Sequence, residues 1–199
     1  MRKHLVTALG LATMLLLMAP ARAEDDHREL GAHVHGHGTL NIAIEGNRVA
    51  MELEVPGMDI VGFEHAPSTD DQKAAVEKAK ARLEKPLGLF SLPAAAGCAV
   101  AEAKVSLEAE HAHHDDDGEK HGAKVDDDHD HDAAGSHNQF EASYALDCTN
   151  PSELTTITFD YFALFAGAHD LTVNVVTAKG QSKYEVSRSK PALDLGGIM

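Results

Sequence analysis

The sequence predicts a mainly β, α+β fold: an antiparallel β-sandwich-like domain of about seven strands with one amphipathic helix. The strands are predicted from short runs in which apolar and polar residues alternate, the period of a half-buried strand. The helix is predicted from one longer run with helical spacing between a capping residue and a proline. A central segment of histidine and aspartate has almost no large apolar side chain and is predicted to be a disordered loop.

The chain begins with a predicted secretory signal peptide, residues 1–23. A basic head precedes an apolar run over 5–18, and Ala21-Arg22-Ala23 fits a cleavage site. The run is shorter than the ~20 residues that span a bilayer, so cleavage is favoured over a membrane anchor. The mature chain, residues 24–199, is therefore expected to be exported as a single β-rich domain with no membrane insertion.

The charge of the chain argues against two classes of partner. The 199 residues carry 17 basic and 32 acidic side chains, a net charge of −15. Cleavage after Ala23 removes three basic residues, so 14 against 32 leaves −18. Nucleic acids and anionic membranes both need a basic surface, so neither is an expected partner. Histidine is unusually frequent, with 14 in the chain, which points to metal ions or protons.

The first structural element is predicted to be a β-hairpin whose turn is Gly46-Asn47. Its alternating apolar residues are Leu40, Ile42, Ile44, Val49, Met51, Leu53 and Val55. A helix is predicted over residues 70–85, with Thr69 and Gln72 as a capping box and Pro86 as its end. The apolar face of this helix consists of Val76, Ala79 and Leu83.

Five further strands are predicted downstream, and two of them flank the histidine-rich segment. Their alternating apolar residues are Ala101, Ala103, Val105 and Leu107; Phe140, Ala142, Tyr144 and Leu146; Ile157, Phe159 and Tyr161; Leu171, Val173 and Val175; and Tyr184 and Val186. The two strands that flank the segment are expected to pair directly with each other.

The only two cysteines, Cys98 and Cys148, are predicted to form a disulfide, because an even pair in an exported protein oxidises. Cys98 does not share the parity of the apolar residues that follow it. It is therefore expected just before its strand, where the bond would tie two strand ends. The loop so closed is about 50 residues long, which the loop-entropy model equates with roughly 4 kcal/mol. A thiol metal site is the alternative.

The central segment, residues 111–137, is predicted to be a flexible His/Asp-rich insert that binds metal at several sites of moderate affinity. Imidazoles suit Zn2+, Ni2+ and Cu2+, whereas the shortage of methionine and free thiols argues against Cu+. A solvated acidic spacer is the alternative. The histidines of the insert are His111, His113, His114, His121, His129, His131 and His137.

A second histidine cluster, His33-Val34-His35-Gly36-His37, lies at the start of the first strand. In an extended chain, residues two apart point the same way at about 7 Å, so His33 with His35, or His35 with His37, is a plausible chelating pair. Zinc takes about four ligands, so partners must come from elsewhere. The candidate partners outside the insert are Glu64, His65 and His169. Two alternatives remain: non-specific binding by a frayed terminus, and for His65 a backbone hydrogen bond at the helix entrance.

The sequence offers little support for catalysis. It has no phosphate-binding glycine loop after a strand, no nucleophile elbow and no HExxH zinc-protease helix. Histidines beside carboxylates can do acid–base chemistry, but nothing in their spacing favours that over metal binding. The chain is therefore predicted not to be an enzyme.

One motif of the chain runs from His33-Val34-His35-Gly36-His37-Gly38 to Glu45-Gly46-Asn47, and another is Pro56-Gly57-Met58-Asp59-Ile60-Val61-Gly62-Phe63-Glu64-His65-Ala66-Pro67. Both motifs resemble those of the ZrgA-type periplasmic zinc-uptake proteins of Gram-negative bacteria. The later segment Phe162-Ala163-Leu164-Phe165-Ala166-Gly167 and an insert between cysteine-bearing strands are similar too. The resemblance implies zinc binding in the periplasm, work with a zinc-regulated ABC importer and no enzymatic activity. It carries over as candidate ligands only His33, His35, His37 and His65.

The favoured hypothesis is a periplasmic zinc-binding protein that captures Zn2+ and supports its uptake by an ABC importer. The acidic charge would raise the local cation concentration, and the imidazoles would bind. Two other functions fit the same residues. One is a passive buffer or resistance protein for nickel, copper or zinc, and the other is an interaction domain whose histidines sense pH.

Overall fold

The computed structural model describes residues 34–109 and 137–199. The predicted signal peptide and nearly all of the predicted insert lie outside these ranges. So do seven of the predicted ligands, which are His33, His111, His113, His114, His121, His129 and His131. Within the part that is described, no helix is long and apolar enough to cross a membrane.

Six of the nine strands found in the described ranges form one large sheet, in the order β4-β5-β2-β1-β7-β8. Neighbouring strands are antiparallel except β1 and β7, which run parallel. The bounds are β1 His37–Glu45, β2 Arg48–Pro56, β4 Cys98–Ala109, β5 Asn138–Cys148, β7 Asp170–Thr177 and β8 Gly180–Ser187.

A three-stranded antiparallel sheet and four helices complete the described fold. The strands of the small sheet are β3 Phe90–Ser91, β6 Thr156–Phe159 and β9 Ala192–Asp194. The helices are α1 Gly57–Val61, α2 Asp70–Leu83, α3 Pro86–Leu89 and α4 Tyr161–Leu164. Two 3₁₀ turns, Ala94–Ala96 and Pro151–Glu153, lie in the connections.

The hydrophobic core forms on the face of the large sheet that the sequence pattern predicts. The alternating apolar residues of β1, β2, β5 and β7 are buried, and they pack with Val76, Ala79 and Leu83 of α2. The capping box predicted at Thr69 is confirmed, since its side chain accepts the Gln72 N–H and the Gln72 side chain accepts from the Thr69 backbone. The other face of the large sheet is polar, with residues such as Asn41 and Glu52 opposite each other.

The mainly β, α+β class is confirmed, with several differences in detail. The parallel β1–β7 pair departs from the predicted antiparallel arrangement, because strands far apart in sequence meet without a hairpin to set their direction. Strands β3 and β9 are too short for an alternating pattern, and Tyr161 begins a helix instead of ending a strand. The disulfide is confirmed, but Cys98 is the first residue of β4 and not, as predicted, just before the strand; it lies opposite Cys148 at the end of β5.

One end of the large sheet gathers the segments that carry histidine. The starts of β1 and β7 pair there through His37 and Asp170, and Pro56 at the end of β2 pairs with Gln139. The two strands flanking the insert also meet at this end, where Ala109 pairs with Asn138. The direct pairing expected of these two strands is therefore confirmed, and the insert leaves and re-enters the fold beside the histidines.

Candidate metal centre

Because of a tight turn at the start of β1, the side chains of His35 and His37 contact different residues. The turn is closed by the His37 N–H, which donates to the Val34 carbonyl at 3.0 Å. Gly36 has a φ of +86°, a backbone conformation that residues with side chains rarely adopt. Its carbonyl accepts the N–H of His169, and its own N–H donates to Asp59 Oδ1 at 2.7 Å. This turn replaces the extended chain that was expected to point the two imidazoles the same way.

The carboxylate of Glu64 lies between two imidazoles from distant parts of the chain. His35 Nε2 is 2.8 Å from Glu64 Oε1, and His137 Nδ1 is 2.7 Å from Glu64 Oε2. We call these three residues the Glu64 cluster. The carboxylate side chain is only 12% exposed, whereas the two imidazoles are 58% and 57% exposed. A nearly buried acid thus faces two histidines that solvent can reach.

Hydrogen bonds to Asn138 hold the Glu64 loop against the start of β5. The Asn138 N–H donates to the Glu64 carbonyl, and its side-chain amide donates to the His65 carbonyl, each at 2.8 Å. Asn138 is itself buried. Because His137 is the preceding residue, the same contacts hold its backbone beside Glu64.

The electrostatics of the cluster favour a negative charge on Glu64. Burial acts to raise the pKa of Glu64, but contacts with His137 and His35 and their charges outweigh burial and lower it below its usual value of 4.5. Glu64 Oε1 makes no well-aligned hydrogen bond to any described residue, although His35 Nε2 is so close. A carboxylate oxygen and a ring nitrogen at this distance need a proton between them, and a cation would take the place of that proton.

A second carboxylate, Asp59 in α1, lies beneath the cluster. Asp59 is 3% exposed, and its Oδ2 has no hydrogen-bond partner among the residues described. Burial raises its pKa above the usual value, while the Gly36 N–H and the charges of His35 and His169 act in the opposite direction. An unpaired buried carboxylate oxygen is costly, and either protonation, which the raised pKa favours, or a bound cation would lower that cost.

The segment that leads into β7 closes over Asp59. A Cβ added at Gly167 would lie 2.6 Å from the Asp59 carbonyl oxygen, so only glycine permits this approach. Arg188 holds the segment in place. Its guanidinium donates to the carbonyls of Phe162, Phe165, Ala166 and Ala168.

His37 belongs to a separate group on the polar face of the large sheet. Its Nδ1 contacts Asp170 Oδ1, and its Nε2 is 3.0 Å from Thr172 Oγ1. The Thr172 hydroxyl in turn donates to Glu185 at 3.1 Å. We call His37, Asp170 and Glu185 the His37 cluster.

The other predicted partners outside the insert have different surroundings. His65 stacks on Phe63, its Nδ1 lies 2.9 Å from the Ala66 carbonyl, and its Nε2 lies 3.3 Å from the Gln72 amide at the entrance of α2. This is the structural alternative that the sequence left open for His65. The exposed His169 packs against Gly36 beside the Glu64 cluster.

Sequence reasoning missed Asp59, Asp170 and Glu185. Asp59 falls inside the second recognised motif but carries no local signal of burial, because its cover comes from a segment more than 100 residues later. Asp170 and Glu185 come close to His37 only through strand pairing. For Asp170, its position directly after His169 was the one available signal.

Two imidazoles and one carboxylate are a ligand set that zinc takes in proteins, with a fourth position left for water or another group. The contacts of 2.7–2.8 Å are closer than the roughly 3.4 Å between ligands around tetrahedral zinc. The ligand atoms of the three residues do not all lie within 4.8 Å of one another, so the exposed imidazoles would have to turn for both to reach one ion.

The sequence model of one protein family matches residues 32–195, and the family is described as ZrgA family zinc uptake protein. The match covers both histidine-bearing motifs and both described flanks of the insert. No curated protein matches the chain.

Proposed function

Because the chain belongs to the ZrgA family of zinc uptake proteins, we propose that it is a periplasmic protein that captures Zn2+ and supports its uptake by an ABC importer. The family description names an uptake role and no reaction. Capture at the Glu64 cluster is the step that the chain's own residues support. Export, the importer and the metal load of the insert are parts of the same proposal.

The observation that carries the proposal is the Glu64 carboxylate between His35 and His137. One imidazole comes from the motif before β1 and the other from the end of the insert. Asp59 adds a buried carboxylate whose Oδ2 has no partner among the described residues. Zinc binding would bring these groups together and give a partner to Asp59 Oδ2 and Glu64 Oε1, which are buried without a hydrogen bond to a described residue.

The insert would supply the ion to this cluster. It carries His111, His113, His114, His121, His129 and His131 between its flanks, and its two ends are fixed at the end of the sheet where Glu64 lies. Weak sites in such a segment exchange metal readily, whereas a cluster held by Asn138 keeps its geometry. We therefore propose that ions pass from the insert to the Glu64 cluster through His137.

Zinc affinity is expected to depend on pH in a defined direction. An imidazole must be neutral to bind a metal, and its ordinary pKa is about 6.5. Binding should therefore weaken as the pH falls from about 7 to 5, with protons released on binding. The same dependence would favour release of the ion wherever the surroundings are more acidic.

The first experiment is a calorimetric titration of the mature chain, stripped of metal, with Zn2+, Ni2+ and Cu2+. It includes a deletion of residues 111–136 that retains His137. We expect one tight zinc site to survive the deletion and the weaker sites to disappear. Glu64→Gln should weaken the surviving site about 100-fold, whereas Glu84→Gln, an exposed carboxylate at the end of α2, should leave it unchanged.

Loss of all zinc binding on deletion would contradict the Glu64 cluster and make the insert the whole metal site. The uptake role has its own test, growth of a null strain under zinc limitation with each variant restored. We expect Glu64→Gln to fail and Glu84→Gln to succeed. If the null strain grew normally without zinc but died under zinc excess, the passive buffer would replace the uptake hypothesis.

A further inference from the structure

We propose that His37, Asp170 and Glu185 form a second divalent-cation site, on the polar face of the large sheet and separate from the Glu64 cluster. One ligand atom from each residue lies within 4.8 Å of the other two. No other group of three such residues in the described ranges meets this distance. The site shares no residue with the Glu64 cluster, so it can exist whether or not that cluster binds zinc.

The strand ladder sets the positions of all three residues. His37 at the start of β1 lies opposite Asp170 of the parallel strand β7. Two residues further along β7, Thr172 lies opposite Glu185 of β8. Because alternate residues of a strand project to the same face, the imidazole and both carboxylates project together from three adjacent strands. No loop has to close to assemble them.

Thr172 acts as a positioning residue at the centre of this group. It is buried, and its hydroxyl contacts His37 Nε2 at 3.0 Å and donates to Glu185 Oε1 at 3.1 Å. The hydroxyl therefore fixes the direction of both neighbours. Asp170 completes the arrangement through its contact with His37 Nδ1.

The chemistry of the group suits a cation such as Zn2+. One imidazole and two carboxylates supply three ligands and two negative charges, which a divalent ion neutralises. The side chains of His37 and Asp170 are 36% and 42% exposed, so small rotations can bring ligand atoms from 4.8 Å to the roughly 3.4 Å of a zinc site. Three protein ligands leave a fourth position for water.

One nearby charge competes with the ion. Lys183 Nζ lies 3.6 Å from Glu185 Oε1, but both side chains are well exposed, so this ion pair contributes little. A divalent ion with two direct carboxylate ligands should displace the ammonium group. Lys183→Met is therefore expected to strengthen binding at this site by a few fold, and no change would leave the lysine without a competing role.

The test follows individual histidines in the full mature chain, so the histidines of the insert do not obscure the result. Ring-nitrogen NMR signals of His37 and His35 are assigned by single substitutions and followed during Zn2+ titration. We expect both to shift. Asp170→Asn and Glu185→Gln should each raise the zinc concentration needed for the His37 shift about tenfold or more and leave the His35 response unchanged.

Glu52→Gln is the matched control, since Glu52 is an exposed carboxylate on the same face of the sheet in β2. It should change neither response, and Glu64→Gln should suppress the His35 response alone. The proposal is overturned if His37 does not respond at zinc concentrations that saturate His35. It is equally overturned if the two amide substitutions, in chains with unchanged thermal unfolding, leave the His37 response as it was.

Discussion

The Glu64 cluster and the His37 cluster begin in the same turn but are assembled differently. The Glu64 cluster joins the turn before β1, the loop after α1 and the residue that ends the insert, and it depends on the hydrogen bonds of Asn138. The His37 cluster projects from three strands in register. The first has a nearly buried carboxylate, and the second has carboxylates that face solvent.

This difference shows that high affinity for an ion and a geometry that is independent of the loops come from different arrangements of ligands. A buried acid under exposed imidazoles raises affinity, because the charge is poorly screened and its neighbours can move to meet an ion. Exposed carboxylates on a rigid ladder give a weaker site whose geometry does not change when loops move. The comparison therefore predicts that perturbing loops changes the Glu64 cluster, whereas perturbing strands β1, β7 and β8 changes the His37 cluster.

The largest expected effect follows loss of the disulfide. Cys98→Ser with Cys148→Ser removes a bond between residues 50 apart and should lower the free energy of unfolding by about 4 kcal/mol. The bond joins Cys98 to Cys148 at the end of the β4–β5 pair opposite Asn138, so zinc binding at both clusters should persist as long as the variant is folded. Urea unfolding and the histidine NMR titration measure both effects. Loss of the zinc response of either cluster in the folded variant would contradict this expectation.

The next largest effect is expected from a change at Arg188, which holds the segment before β7. Arg188→Lys removes a guanidinium that donates to four carbonyls, and a single ammonium group cannot replace its fork of donors. We expect a loss of about 2–3 kcal/mol in urea unfolding, because carbonyls are left without donors. Lys179→Arg, on the turn before β8, is the control and should be neutral. A neutral Arg188→Lys would show that these contacts do not hold the segment.

A smaller effect is expected from a change at Gly36, in the turn that carries one imidazole of each cluster. Gly36→Ala forces a side chain into a backbone with φ +86°, and its Cβ would lie 3.0 Å from the His169 ring. We expect a loss of about 1–2 kcal/mol and weaker zinc binding at both clusters, because both imidazoles flank this residue. Gly46→Ala, at φ +58° with open space around it, should cost stability without changing zinc binding. Unchanged zinc binding by Gly36→Ala would separate the clusters from the turn.

The smallest expected effect concerns Tyr161, a core residue close to the buried Asp59 beside the Glu64 cluster. Tyr161 is fully buried, and its hydroxyl has no partner within the described ranges. Burial, followed by the nearby charge of Asp59, raises its pKa well above the usual value of 10. Tyr161→Phe should be neutral or stabilising by up to about 1 kcal/mol at pH 7.

The raised pKa also sets a direction for stability at high pH. The unfolded chain loses the Tyr161 proton near pH 10 and the folded chain keeps it, so stability should fall as the pH rises above 10. Tyr161→Phe should reduce this fall, and Tyr184→Phe, at a half-buried position, should not. Chemical unfolding at several pH values measures the slope. Identical slopes for wild type and Tyr161→Phe would contradict the assignment.

Local pattern in the sequence was enough to predict the first hairpin, the capped helix and the inward faces of β5 and β7, because each depends on neighbours within a few residues. The disulfide could be predicted from the count of two cysteines and from the expectation that the chain is exported. The parallel pairing of β1 with β7 could not be predicted, since it joins segments more than 100 residues apart. Asp170 and Glu185 were missed for the same reason, and the turn at Gly36 was missed because φ there depends on contacts with Asp59 and His169.

The paired ends of β4 and β5 have a consequence for how this protein can vary. Ala109 and Asn138 stay opposite each other in the sheet whatever the length of chain between them. Each doubling of a loop costs only about 0.6 kcal/mol of closure free energy, so histidines can be gained or lost there at almost constant stability. The metal capacity proposed for the insert can therefore evolve, or be engineered, independently of the fold that carries it.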